Sequence, residues 1–92
     1  MKQKTIRTEN LKKDATVRLN RIEGQVKGVN KMLADDAYCN DILTQISSIQ
    51  SALNSVSKII LENHIKSCVV DKIKNDDSEV VEELVKTIGR LL

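Results

Sequence analysis

Residues 42 to 60 carry Ile42, Ile46, Ile49, Leu53, Val56 and Ile60 in alternating steps of four and three, a heptad pattern that sets all six along one seam of an α-helix. A seam of that length needs a partner helix beside it. The chain has 92 residues, no proline and three glycines, so its composition contains little that would interrupt long helices. The apolar mass is mostly Ile, Leu and Val, and Tyr38 is the single aromatic residue. The expected fold is all-α, with one domain over residues 1–92.

Upstream of the seam, Leu19, Ile22, Val26, Val29 and Leu33 step by three and four, predicting a first helix from about Thr8 or Asp14 to Leu33. The stretch "ADDAYCND" breaks that pattern and offers Asp36, Asn40 or Asp41 as a cap for the next helix. Beyond the seam, Leu61, His64 and Cys68 continue a stripe on a slightly rotated face, so the second helix is expected to reach Cys68 or Val69. "DKIKNDDSE" reads as a polar joint with Asp76 and Glu79 at capping-box spacing. Val81, Leu84, Val85, Ile88 and Leu92 then predict a third helix. A second helix of roughly 30 residues spans about 45 Å, and a chain this small cannot cover it on every side. The expectation is a helical dimer or a higher even-numbered assembly.

Apolar runs reach only two or three residues, so no membrane span is expected, and "MKQKTIRTEN" lacks the apolar segment of a secretory signal. A cytoplasmic protein follows. In that reducing compartment two cysteines point to metal or redox chemistry more than to a structural disulfide, although a buried inert thiol is also consistent. The formal charge of +2 hides an imbalance: residues 1–31 hold nine Lys/Arg against three Asp/Glu, and the remainder holds six against ten. Such a basic first third is the footprint of a nucleic-acid binder. With no glycine-rich phosphate loop and a single histidine, the chain is not expected to be an enzyme.

His64 and Cys68 lie four apart, so on a helix they project from one face and can share a metal ion. Two residues at that spacing also occur by chance on ordinary helix faces. Cys39 stands 25 residues before His64, about 37 Å along one helix, and cannot reach it within a straight helix of its own chain. An antiparallel second copy would bring Cys39 of one chain to His64 and Cys68 of the other, making two equal sites per dimer. Two thiolates and one imidazole form a soft set that suits Cu(I), with Zn(II) as competitor if a fourth ligand is found.

The stretches "RLNRIEGQVKGVNKML", "DAYCNDILTQISSIQSALNSV" and "ENHIKSC", over about residues 18 to 68, resemble the copper-sensitive operon repressor (CsoR) family of bacterial transcription regulators. The resemblance implies a three-helix protomer that forms an antiparallel four-helix-bundle dimer, with dimers pairing into a tetramer. It implies that the apo-protein binds double-stranded operator DNA and that Cu(I), one per protomer and bound between chains, releases it. The implied metal ligands are Cys39 from one chain with His64 and Cys68 from the other. Tyr38 and Glu83 match supporting positions that would tie the site to the third helix by hydrogen bonds. Related nickel and cobalt sensors carry further histidines, formaldehyde sensors have a proline where this chain has Lys2, and persulfide sensors lack a histidine corresponding to His64. Copper fits best among these inducers.

Arg18, Arg21, Gln25 and Gly28 fall on one face of the first helix, flanked by Lys27 and Lys31. The resemblance assigns Arg18 and Arg21 to DNA contact, while Ser55 stands where some copper sensors carry arginine. A solvated charge is the ordinary role of each basic residue taken alone. Together they would neutralise many phosphates, and binding should weaken steeply with salt. Two other functions use the same residues: a thiol- or persulfide-responsive repressor, which would not need His64, and a structural helical adaptor, which would not bind operator DNA.

Overall fold

The computed structural model describes residues 7–91; Lys2 and Leu92 lie outside them. Helix α1 runs Glu9–Ala34, and its N-cap Thr8 is extended, with its hydroxyl oxygen accepting from the Leu11 N–H at 3.2 Å. The helix closes at Asp36, whose φ of 55° is left-handed. Asp36 N–H donates to the Leu33 carbonyl at 3.2 Å and Ala37 N–H to that of Met32 at 2.9 Å, a Schellman arrangement. Asp36 therefore ends α1 and does not cap α2. Helix α2 spans Cys39–His64 with Tyr38 at its N-cap, and no side chain completes that cap. Asn40 and Asp41 lie inside the first turn, where the Tyr38 carbonyl accepts from Asp41 and Ile42.

No break follows α2. The chain continues through a π-helical turn, Ile65–Val69, into the short α3, Val70–Lys74, so one helical rod covers 39–74. The Val70 N–H reaches back five residues to the Ile65 carbonyl, the signature of the π turn. The rod thus outlasts its expected end at Cys68 or Val69, because "DKIK" tolerates helix and the stop signal comes later. Asp76 supplies it, with φ 59° and bonds from Asp76 N–H to the Ile73 carbonyl and from Asp77 N–H to that of Lys72. The residue read as one half of a capping box is instead the terminator of the preceding helix. Helix α4, Glu79–Leu91, starts after Ser78, whose carbonyl accepts from Val81 N–H at 3.2 Å.

Helices α1 and α2 pack as a hairpin around Ile22, Ile49 and Val56, with Val29, Ala52 and Ile60 against them. Helix α4 folds back on the π turn and α3, where Val69 and Val80 are the most buried side chains, each 3% exposed. The heptad seam is split between two environments. Ile49 and Val56 pack in the core with Ile22 of α1, whereas Ile46 and Leu53 remain 38% and 42% exposed, and Leu19, Val26 and Leu33 of α1 are also exposed. Fully burying an aliphatic side chain of this kind is worth roughly 1.5–3 kcal/mol, so this open stripe stands to gain substantially from a cover. The Cα radius of gyration is 17.2 Å, against about 12 Å for a compact chain of this length. The protomer is a rod of 56 × 28 × 22 Å with one small core at the hairpin and a second at the α4 junction.

Candidate functional site

His64 is the last residue of α2, and Cys68 lies inside the π turn that follows. A four-residue step slightly exceeds one turn of α-helix and falls slightly short of one turn of π-helix, so both side chains stay on one face. Both are half-buried. His64 lines a groove of about 250 Å³ with Arg7, with Ser57, Ile60 and Leu61 of α2, and with Thr87 and Leu91 of α4. The imidazole thus sits where the second helix, the fourth helix and Arg7, just before α1, converge.

Cys39 occupies the opposite end of α2, as its first residue, with an exposed free thiol. The 26 residues of α2 hold it about 37 Å from His64. Among the described residues no group of three or more His, Cys, Asp or Glu comes together as a metal cage within the protomer. Each end of α2 therefore offers only part of a ligand set: one thiol at the start, an imidazole and a thiol at the finish. These donors are soft and fit a thiophilic metal. To hold a metal ion, the pair at the His64 end would need a further donor from elsewhere.

Tyr38 stands beside Cys39 and is 70% exposed. Glu83 is exposed on α4 and lines a polar groove of about 410 Å³ with Glu79, Glu82, Lys86, Thr87 and Arg90. It does not line the His64 groove. Thr87, one turn further along α4, lines both. Neither Thr87 nor the π turn was singled out by sequence reasoning. The only signals were the rotation of the Leu61, His64, Cys68 stripe away from the heptad seam and the four-residue step from Glu83 to Thr87.

On the hairpin, Arg18, Arg21 and Gln25 line a shallow groove of about 250 Å³ with Ile22 of α1 and with Ala52 and Ser55 of α2. Arg18 Nε donates to Asp14 Oδ1 at 2.9 Å, and Lys27 Nζ lies 3.6 Å from Glu23 Oε1. Both pairs are solvent-exposed, so each is worth about 0–1 kcal/mol and offers little resistance to an incoming phosphate. Lys31 is exposed in the last turn of α1, and Lys27 and Lys31 lie outside the groove. Gln25 Oε1 is shielded from solvent without a hydrogen-bond partner among the described residues. The structure thus brings together Arg18, Arg21 and Gln25 and leaves the two lysines as separate exposed charges.

Three comparisons place this architecture among known proteins. A family model described as metal-sensitive transcriptional repressor matches residues 11–90. The copper-sensing transcriptional repressor CsoR of Bacillus subtilis is 50% identical over 68 residues, covering 74% of this chain and 67% of that protein. The copper-sensing transcriptional repressor RicR of Mycobacterium tuberculosis is 52% identical over 52 residues, covering 56% of this chain and about half, 54%, of that protein. Among solved structures, the copper-sensing repressor CsoR with Cu(I) from Geobacillus thermodenitrificans superposes with a TM-score of 0.87 at 43% identity, covering 95% of this chain and 92% of that one. The nickel-responsive regulator InrS shares the fold with a TM-score of 0.73 at 26% identity, covering 100% of this chain and 98% of that one. With nearly the whole helical rod and its hairpin inside these matches, the chain belongs to the metal-sensitive transcriptional repressor family.

Proposed function

We propose that this chain is a copper-sensing transcriptional repressor that binds operator DNA without metal and leaves it when Cu(I) is bound. The observation that carries the reading is the division of a soft donor set between the two ends of one helix whose seam is half open. A second copy laid antiparallel along Ile46, Leu53, Leu19, Val26 and Leu33 covers that face. It brings Cys39 of one protomer to His64 and Cys68 of its partner, giving one Cu(I) per protomer, bound between chains. Three such ligands satisfy Cu(I) without a fourth, whereas Zn(II) would need one more. Dimers pair further into a tetramer, and Tyr38 and Glu83 support the ligands from outside the metal's immediate contacts.

The bound metal supplies a cross-link between two chains. The protein contributes the alternatives on which that cross-link acts, since a ligand shifts an equilibrium only by its differential affinity for two arrangements. His64 and Cys68 sit at the junction of α2 with the π turn, against which α4 packs, so ligand geometry at that end is mechanically continuous with the α4 core. Arg18, Arg21 and Gln25 form the central DNA-facing groove, with Lys27 and Lys31 adding charge beside it. By linkage, DNA weakens Cu(I) binding by the same factor by which Cu(I) weakens DNA binding.

The test is an anaerobic titration of reduced protein with Cu(I), followed by binding to operator DNA with and without metal at constant salt. One Cu(I) per protomer through sulfur and nitrogen, with loss of DNA binding, is expected. DNA binding that ignores copper but is abolished by a persulfide would keep the family and replace the inducer. No DNA affinity at any salt would leave a structural helical adaptor.

A further inference from the structure

We infer that Gln25 is a positioning residue for DNA binding: its side-chain oxygen receives one N–H of the Arg21 guanidinium and so fixes the direction in which Arg21 meets a DNA phosphate. This inference rests on the reading of the hairpin groove as DNA-facing. The starting observation is an orphaned acceptor. Gln25 Oε1 is shielded from solvent and has no hydrogen-bond partner among the described residues, so its bonding capacity is met neither by water nor by protein. An oxygen closed off in this way is not offered to a base edge. Its donor has to come from within the groove that Gln25 lines.

Ile22 and Ala52 bring only apolar side chains to that groove. The Ser55 hydroxyl donates to the Ser51 carbonyl at 3.3 Å, which commits its proton. Arg18 gives its Nε–H to Asp14 Oδ1 at 2.9 Å and stands about two turns before Gln25. Arg21 precedes Gln25 by four residues, the spacing at which side chains of one helix face adjoin. The Arg21 side chain has no hydrogen bond or ion pair among the described residues, so its donors are uncommitted. A guanidinium carries five N–H donors in a planar fork. One given to Gln25 leaves others for a bidentate contact with phosphate, and the side chain is then oriented before DNA arrives, which lowers the entropy lost on binding. Phosphate contacts set a protein's register on the duplex. Gln25 therefore acts on operator binding through Arg21, and its loss weakens binding although no cation is removed.

The test uses the full-length protein with Gln25→Met, which keeps the length of the side chain and removes the acceptor, beside Arg21→Ala and the double variant; Gln25→Leu takes the place of Gln25→Met if the latter does not fold. Affinities for operator DNA and for a random-sequence duplex of the same length are measured without metal over a range of salt, together with the thermal midpoint. Gln25→Met is expected to lower operator affinity about tenfold, the scale of one hydrogen bond to a charged group. Its midpoint, its affinity for the random duplex and its slope of log affinity against log salt should match wild type. Arg21→Ala should reduce that slope by about 1. In the Arg21→Ala background, at a salt low enough for binding to be measured, Gln25→Met should have no further effect, because its action passes through Arg21. Losses that add in the double variant would give Gln25 a DNA contact of its own, a loss that follows the midpoint would make it a packing residue, and unchanged operator affinity would leave it without this role. Each of these overturns the inference while leaving the DNA reading in place. A wild type without operator affinity at any salt would overturn both.

Discussion

The two ends of α2 are built from different materials. At its start, Cys39 and Tyr38 are exposed, no side chain completes the cap, and the open half of the seam runs away from them. At its finish, His64 and Cys68 are half-buried beside a π turn, with α4 folded against that turn and α3. One end is packed against its own chain and the other stands open. In the proposed function, a soft-metal site divided this way would respond to two things at once, the presence of metal and the presence of a correctly placed partner.

The largest effect is expected from removing the partner. Leu53→Asp would place an unpaired carboxylate in the covered seam and destabilise the assembly by about 3–5 kcal/mol; sedimentation should find monomers, and Cu(I) binding should fall with assembly although every ligand remains. Tight copper binding by such a monomer would remove the contrast between the ends. Next come the cysteines themselves. Cys39→Ala and Cys68→Ala should each weaken Cu(I) by more than the roughly 10–100-fold typical of losing a supporting residue. Their thermal midpoints should differ, because Cys39 is exposed and Cys68 is half-buried: apo stability changes by less than about 0.5 kcal/mol for Cys39→Ala and falls by about 1 kcal/mol for Cys68→Ala. Equal losses in calorimetry would contradict the asymmetry.

Arg21→Ala acts between the two ends and should leave both untouched. Operator affinity is expected to drop several-fold across sequences, with the slope of log affinity against log salt reduced by about 1 if one phosphate contact is lost, and with Cu(I) affinity of the free protein unaltered. The smallest effects belong to the two terminators. Asp36→Gly and Asp76→Gly relieve left-handed aspartates and should each raise stability by about 0.5 kcal/mol, the steric gain being partly offset by glycine's freedom in the unfolded chain. Denaturant melts resolve the sign. Opposite signs at the two positions would show that one of these turns is held by something beyond its Schellman bonds.

Much of the fold was legible because periodicity is a property of neighbouring residues. The stripe from Leu19 to Leu33 and the seam from Ile42 to Ile60 lie in helices near their expected bounds, and of the two expected starts for the first helix, Thr8 and Asp14, Thr8 is the one observed, as the N-cap. The turns were harder. Aspartate serves as a helix N-cap and, less often, in left-handed backbone, and only hydrogen-bond geometry separates the two; Asp36 and Asp76 are both of the second kind. The π turn was hidden because a four-residue step looks alike in α- and π-helix. For the candidate site, residue chemistry exposed Cys39, His64 and Cys68, whereas Thr87 emerged only when packing set α4 beside His64.

The most direct test of a site shared between chains is complementation. Cys39→Ala and Cys68→Ala proteins are mixed, unfolded and refolded together, and Cu(I) binding is compared with that of each variant alone. A mixed dimer would unite the intact Cys39 of one chain with the intact His64 and Cys68 of the other. The account predicts one restored high-affinity site per mixed dimer and partial recovery of copper-driven release from DNA. A mixture as deficient as its separate components, or Cys39→Ala protein binding Cu(I) like wild type, would contradict it.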